Sequence, residues 1–329
     1  MTVLVTGGAG YIGSHMVLAL VEAGEDVVVL DNLSTGFREA VAPEAAFYRG
    51  DMADEALVMR IVARHDVSAI IHFAGSIVVP ESVADPLGYY LNNTVKSRSL
   101  MASAVAAGVK NFLFSSTAAV YGDPAEVPVT EKAPFAPMSP YGTSKMMTEM
   151  MLADVAAAHD FTYTALRYFN VAGADPEGRT GQSTARATHL IKVACETALG
   201  KRSHLDVYGT DYPTPDGTCV RDYIHVSDLA NAHLLALGAM RNGEGSAVFN
   251  CGYGKGFSVL EVVDAVKRVS GADFAVKLAP RRPGDSPQIV AGADRIRKTL
   301  GWAPKYDDLD TIVEHAFRWE RHLGLAKAS

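Results

Sequence analysis

A short apolar run, Val3-Leu4-Val5-Thr6, breaks directly into Gly7-Gly8-Ala9-Gly10-Tyr11-Ile12-Gly13 and then into a helical pattern. The β-branched residues favour extension, and the glycines let the backbone reverse within a few residues without a Cβ clash. Strand, glycine turn and helix in this order make the first half of a βαβ unit, which commits the sheet to parallel pairing with helices on its faces. The spacing satisfies G-x-G-x-x-G, and the open N–H groups and positive dipole end of the following helix suit a pyrophosphate. Asp31 ends the next apolar run, Val27-Val28-Val29-Leu30, eighteen residues past Gly13. A carboxylate there accepts hydrogen bonds from an adenosine ribose and repels a 2′-phosphate, which favours NAD over NADP. A glycine turn without a ligand explains the motif taken alone; strand, helix and acid together favour the dinucleotide.

The alternation continues. Residues 3–6, 26–30, 68–73, 111–115 and 162–166 read as strands, and 11–23, 54–65, 86–107 and 140–158 as helices. Asp85-Pro86 and Ser139-Pro140 each put an N-cap residue before a proline suited to a first helical turn, and Ser258 to Glu261 fits a capping box. The predicted fold is α/β, a doubly wound parallel sheet of Rossmann type with a smaller mixed α/β substrate domain. A Gly/Asp/Pro-rich stretch, residues 173–181, breaks the pattern, so the domains are expected at 1–170 and 171–329, with part of 221–250, notably 247–250, returning to the first. At 329 residues the chain is long enough for two such domains.

Thirty basic against 37 acidic residues give a net charge of −7, the wrong sign for a general nucleic-acid or membrane-surface binder. Any anionic ligand must therefore be met by a few placed groups. No apolar stretch approaches the roughly 18 residues of a membrane span, and the start lacks the pattern of a secretory signal. Cys195, Cys219 and Cys251 are too widely spaced for a metal or redox pair and read as buried free thiols, so a reduced, cytoplasmic protein is expected. His225 and His233 lack a third ligand, and no metal site is expected. Met146, Met147, Met150 and Met151 read as core or helix packing.

Tyr141 and Lys145 stand four apart on the helix launched by Ser139-Pro140, on one face. A phenol with a pKa of about 10 is a poor base at neutral pH, but a neighbouring ammonium and an oxidised nicotinamide favour the phenolate. Phe112-Leu113-Phe114-Ser115-Ser116-Thr117 is an apolar strand ending in hydroxyls, at the edge where open α/β sheets bind ligands. Either element alone has an ordinary structural reading: a surface pair, or hydroxyls that cap a turn.

Together with Leu30-Asp31-Asn32-Leu33-Ser34, Ile71-His72-Phe73-Ala74-Gly75, Tyr90-Leu91-Asn92-Asn93, Arg167-Tyr168-Phe169-Asn170, Val220-Arg221-Asp222-Tyr223 and Ala279-Pro280-Arg281-Arg282-Pro283-Gly284-Asp285, these motifs cover nearly the whole length. The chain resembles the extended short-chain dehydrogenase/reductases, and among them the enzymes that epimerise nucleotide sugars at C4. The resemblance implies that Tyr141 is the catalytic base, Lys145 its electrostatic partner, and Thr117 the holder of the sugar 4-hydroxyl. It implies an NAD site lined by Gly7, Gly10, Tyr11, Ile12, Gly13, Asp31, Asn32, Asp51, Met52, Phe73, Ala74, Gly75, Asn93, Ser115 and Tyr168 together with Tyr141 and Lys145. Asn170, Arg221, Arg282 and Asp285 are implied to hold the UDP portion, beside Thr117 and Tyr141 at the sugar. The implied reaction interconverts UDP-galactose and UDP-glucose through a 4-ketosugar, with NAD recycled, in a homodimer paired through helices 86–107 and 140–158.

Ala118 and Ala119 follow Thr117 where related dehydratases carry acids, which disfavours elimination. Ile77 stands in place of a lysine that often reaches the cofactor, Thr117 in place of a frequent serine, and Thr188-His189 where asparagine is common. Ile289 falls at a position that gates N-acetylated sugars and leaves the sugar open. Another UDP sugar, an N-acetylhexosamine or a pentose, is the competing enzymatic reading; a non-catalytic NAD sensor of the same fold is the other.

Overall fold

The computed structural model describes residues 1–326 apart from Arg186 and Pro283. The strands β1 (Thr2–Thr6), β2 (Asp26–Asp31), β3 (Ala46–Arg49), β4 (Val67–His72), β5 (Asn111–Thr117) and β6 (Thr162–Tyr168) lie parallel in the order β3-β2-β1-β4-β5-β6. Helices α1 (Tyr11–Glu22) and α2 (Glu55–His65) make the first crossovers. The winding reverses between β1 and β4, and the crevice beyond their carboxyl ends is where such sheets receive ligands. Alternation along the strands fills two layers: Val3, Val5, Val29 and Ile71 enter one, and Leu4, Val28, Leu30 and Ile70 the other. With both faces covered, the strands read as unbroken apolar runs.

After β4 come α3 (Val79–Ala84), α4 (Pro86–Tyr89), one π-helical stretch (Tyr90–Val95) and α5 (Lys96–Ala106). The single helix expected over 86–107 is therefore widened in its middle, a feature that often marks functional sites. Helix α6 (Pro140–Ala158) has its expected bounds, with the Ser139 hydroxyl accepting from the Gly142 N–H at 3.2 Å. Its methionines divide: Met147 and Met150 are 37% and 54% exposed, which excludes the core half of their core-or-helix-packing reading, while Met146 and Met151 pack against the two layers.

The rest comprises β7 (Asn170–Ala172), α7 (Leu190–Ala198), β8 (Leu205–Tyr208), β9 (Val220–His225), α8 (Val226–Arg241), β10 (Ala247–Cys251), β11 (Gly256–Ser258), α9 (Val259–Ser270), β12 (Val276–Ala279), β13 (Gln288–Ile289), α10 (Asp294–Leu300) and α11 (Leu309–Ala326). Strand β10 pairs with β6 and completes a seven-stranded sheet. Strand β9 gathers β7, β11 and β13 around it, and β12 pairs with β8. The capping box at the start of α9 is formed, and the three cysteines are free and buried.

Candidate active site

At the carboxyl end of β1, Gly7 adopts φ +75°, and a Cβ on it would stand 2.5 Å from the Ala74 nitrogen. A Cβ on Gly13 would stand 2.2 Å from the Gly7 carbonyl oxygen, so both glycines are required by close packing. Gly10 starts α1 with no side-chain cap, which leaves the first-turn N–H groups of Tyr11, Ile12 and Gly13 facing out of the helix end. Buried Asp31 accepts from the Ala9 N–H at 2.9 Å and the Leu33 N–H at 2.8 Å, so its carboxylate braces the glycine turn and retains lone pairs for a ribose. Asn32 accepts from the Ser34 N–H. Asp51 pairs with Lys96 at 2.5 Å; burial pushes its pKa up, but Lys96 and the Ala53 N–H outweigh that and hold it below the usual carboxylate range. Met52 is buried beside it.

The Phe73 and Ala74 N–H groups both donate to the Thr6 carbonyl, at 2.9 and 3.1 Å, binding the wall of the crevice to β1. Asn93, on the π-helical stretch, is spent on structure: it accepts from the Ser76 N–H at 2.7 Å and donates to the Ser76 carbonyl and the Ser144 hydroxyl. It clamps the Gly75-Ser76 loop to α6. A Cβ on Gly75 would lie 3.1 Å from Asn93 Oδ1 and 3.6 Å from Lys145 Nζ, so the lysine abuts the expected nicotinamide wall.

Lys145 is 3% exposed, and its ammonium donates to the Ser115 carbonyl at 2.9 Å above the Phe114 ring. Burial lowers its pKa to about 8, against an upward pull from Glu149. Tyr141 moves the other way from expectation: burial around its oxygen raises the pKa, and the Thr117 hydroxyl counteracts this in part. The protein alone therefore keeps the phenol protonated. Thr117 Oγ1 also accepts from the Ala119 N–H at 3.1 Å, which turns the chain away at the end of β5. Ser115 and Tyr168 share a short hydrogen bond.

Sequence reasoning missed a buried group behind this wall. Arg167 forks onto Glu149 with contacts of 2.6 to 3.1 Å, Ser116 donates to the same carboxylate, and the Tyr121 hydroxyl accepts from Arg167 and donates to Asn250. Glu149, four residues beyond Lys145, carries the spacing that would have revealed it.

Across the crevice, Asn170 opens β7 two residues after Tyr168. Arg221 reaches Asp285 at 4.0 Å, and Arg282 pairs with Asp285 at 3.0 Å over the Tyr208 ring, so three of the four residues expected at the UDP portion converge. Pro283 of that motif lies outside the described residues. Ile289 is buried opposite Arg221 in the β13–β9 pair, and Ile77 is 49% exposed. A small cavity behind β7 is lined by Asn170, Gln182, His189, Lys192, Tyr223 and Trp319, with His189 bonded to Gln182 at 2.8 Å. Among the described residues no cluster of His, Cys, Asp or Glu is arranged to hold a metal, and no helix is long and apolar enough to cross a membrane.

Parallel sheet, glycine turn, strand-end hydroxyl and Tyr-x-x-x-Lys helix together define a Rossmann-type oxidoreductase-like enzyme of the extended short-chain class. The chain belongs to the NAD dependent epimerase/dehydratase family, whose model matches residues 3–252. Within that family its similarity is to UDP-glucose 4-epimerases. It is 59% identical to the UDP-glucose 4-epimerase of Azospirillum brasilense over 98% of this chain and 92% of that one. The Bifidobacterium longum UDP-glucose 4-epimerase, solved with NAD+ and UDP, superposes with a TM-score of 0.93 at 39% identity over 98% of both chains. The Campylobacter jejuni UDP-Glc/GlcNAc 4-epimerase gives 0.85 at 48% identity over 98% of this chain and 99% of that one.

Proposed function

We propose that this chain interconverts UDP-glucose and UDP-galactose by oxidation and re-reduction at sugar C4. The observation that carries the reading is the meeting of Lys145, Thr117 and Tyr141 at the end of β5 and start of α6, against the Gly75 wall. The cradle fits a dinucleotide: an uncapped helix start for its phosphates, Asp31 for a ribose, and a lysine against the wall. When bound, NAD supplies the hydride acceptor and donor at C4 and, oxidised, a positive charge.

Tyr141 takes the 4-hydroxyl proton as that bond is oxidised and returns it when the opposite face of the ketone is reduced. It needs cationic help, because burial holds its proton; Lys145, largely charged at neutral pH and one turn further along α6, is the residue we assign to supply part of it. Thr117 orients the hydroxyl. Arg221 and Arg282 hold the diphosphate, which keeps the ketone in the pocket while the sugar turns over, and Asp285 sets their forks. Asn170 borders the sugar.

Incubation with UDP-galactose, followed by product separation with and without added NAD, tests the reading. UDP-glucose is the expected product, and its absence under both conditions would refute it. UDP-N-acetylgalactosamine in parallel tests a second reading, which the likeness to the Campylobacter enzyme supports and Ile289 leaves open.

A homodimer is part of the proposal. Leu87, Leu91, Val95, Met147 and Met150 form an exposed apolar surface on the segments 86–95 and α6. Sedimentation is expected to give twice the chain mass, and Leu91→Glu to reduce it. A cytoplasmic location fits the three free, buried thiols.

A further inference from the structure

The buried Glu149–Arg167 pair has a place that packing alone does not require. Arg167 lies directly opposite Ser116 in the β5–β6 register, on the face of the sheet toward Glu149. The next pair in register, Thr117 and Tyr168, carries two of the site's hydroxyls, on the opposite face. Glu149 lies one turn beyond Lys145 and two turns beyond Tyr141 on α6. A single carboxylate thus accepts hydrogen bonds from the strand that ends in Thr117 and from the strand that ends in Tyr168, while standing on the helix that carries Tyr141 and Lys145.

A buried ion pair is a weak source of stability compared with apolar residues of the same volume, because two charges must leave water. What it gives is direction: a guanidinium fork on a carboxylate admits few geometries. We propose that Glu149 is a positioning residue for the reaction, fixing the rotation and height of α6 against β5 and β6 and placing a negative charge one helical turn from Lys145. The proposal rests on the roles given above to Tyr141 and Lys145.

The groups around Lys145 leave Glu149 as its anionic neighbour. On β4, His72 is held neutral, its pKa lowered to about 3 by burial and by Lys145 itself. On β6, Tyr168 is kept protonated by burial, and Arg167 is cationic with its guanidinium engaged by Glu149 and Tyr121. On α6, Tyr141 is the reacting phenol, and Glu149 is what pulls the Lys145 pKa back upward against burial.

The test compares pH profiles of epimerisation for the NAD-loaded wild type, Glu149→Gln and Glu149→Asp, with Tyr141→Phe alongside. Glu149→Gln keeps a hydrogen-bonding side chain and loses the charge. It is expected to move the alkaline limb of kcat down by about one pH unit, to lower kcat roughly tenfold at neutral pH, and to leave KM for the UDP sugar within about twofold. Glu149→Asp, which keeps the charge, is expected to restore the limb. Should Glu149→Gln fold poorly, the paired variant Glu149→Leu with Arg167→Met removes both buried charges at similar volume and is expected to displace the limb in the same direction by a smaller amount, because the Arg167 cation is lost as well. An unmoved alkaline limb in a folded variant overturns the proposal and leaves the pair purely structural. Normal turnover by Tyr141→Phe instead overturns the functional reading on which it rests, so the two failures are distinguishable.

Discussion

The wall that carries Thr117, Tyr141 and Lys145 and the side that carries Arg221, Arg282 and Asp285 solve the placement of charge in different ways. On the catalytic wall the ammonium is buried to 3% exposure and satisfied by a backbone carbonyl, with a hydrogen-bonded charge pair locked behind it. On the side proposed to hold the diphosphate, Arg282 remains 45% exposed and its guanidinium rests on Asp285, a partner within the chain. On the proposed reading, the first arrangement spends stability to hold the helix of Tyr141 and Lys145 still, and the second leaves Arg282 in contact with solvent until an anion arrives. Chemistry at C4 requires a fixed distance, whereas retention of a diphosphate requires strength and tolerates motion.

Tyr141→Phe strikes the first wall directly and is expected to have the largest effect, a loss of 10²- to 10⁴-fold in kcat with NAD content and UDP affinity nearly unchanged. Single-turnover assays with separate ligand titrations check it. A comparable loss of UDP affinity would show that the two sides are not independent and would break the contrast just drawn.

The cost of burying Lys145 supplies a sharper measure. Its pKa is lowered from 10.5 to about 8 in the folded protein, so between those values the unfolded chain binds the extra proton. Stability on this account is lowest below about pH 8 and rises as pH climbs toward 10.5, by about 3 kcal/mol in all. Lys145→Met is expected to abolish that rise while lowering activity. Denaturant unfolding of the cofactor-free wild type and variant between pH 7 and pH 10.5 reads the difference directly, and parallel stability curves would contradict a desolvated ammonium.

The same contrast governs what the sequence disclosed. The βα alternation, the glycine turn and the cap at Ser139 are local, and the strands β1, β2, β4, β5 and β6 were readable from short apolar runs. Strand β3 was not, because Ala46–Arg49 is only four residues long and sits half-exposed at the sheet edge. The widened turn at Tyr90–Val95 escaped because helical periodicity does not register one extra residue, yet that turn carries Asn93 to the Gly75-Ser76 loop. Around Arg221 and Asp285, β9 pairs with strands before and after it at long range, and no local pattern announces such pairing. There the motifs located Arg221, Arg282 and Asp285, and the fold was needed to bring them together. The i+4 spacing of Glu149 from Lys145 marked a second charged residue on the site's side of α6, but no local pattern said that it would meet Arg167 on β6.

The smallest expected effect falls on the exposed side. Arg282→Ala removes a guanidinium that is 45% exposed and paired with Asp285, so its loss is expected to cost one charge-assisted contact to the diphosphate without leaving a buried carboxylate stranded. A rise of about tenfold in KM for the UDP sugar is expected, with kcat within a few-fold of wild type and no change in NAD content. Arg221→Ala is expected to be the more damaging of the two, because Arg221 is only 15% exposed and its side chain also donates to the Val220 carbonyl in the central strand of the small sheet. Isothermal titration with UDP ranks them. If Arg282→Ala weakened binding more than Arg221→Ala, exposure would be the wrong guide to which cation holds the phosphates.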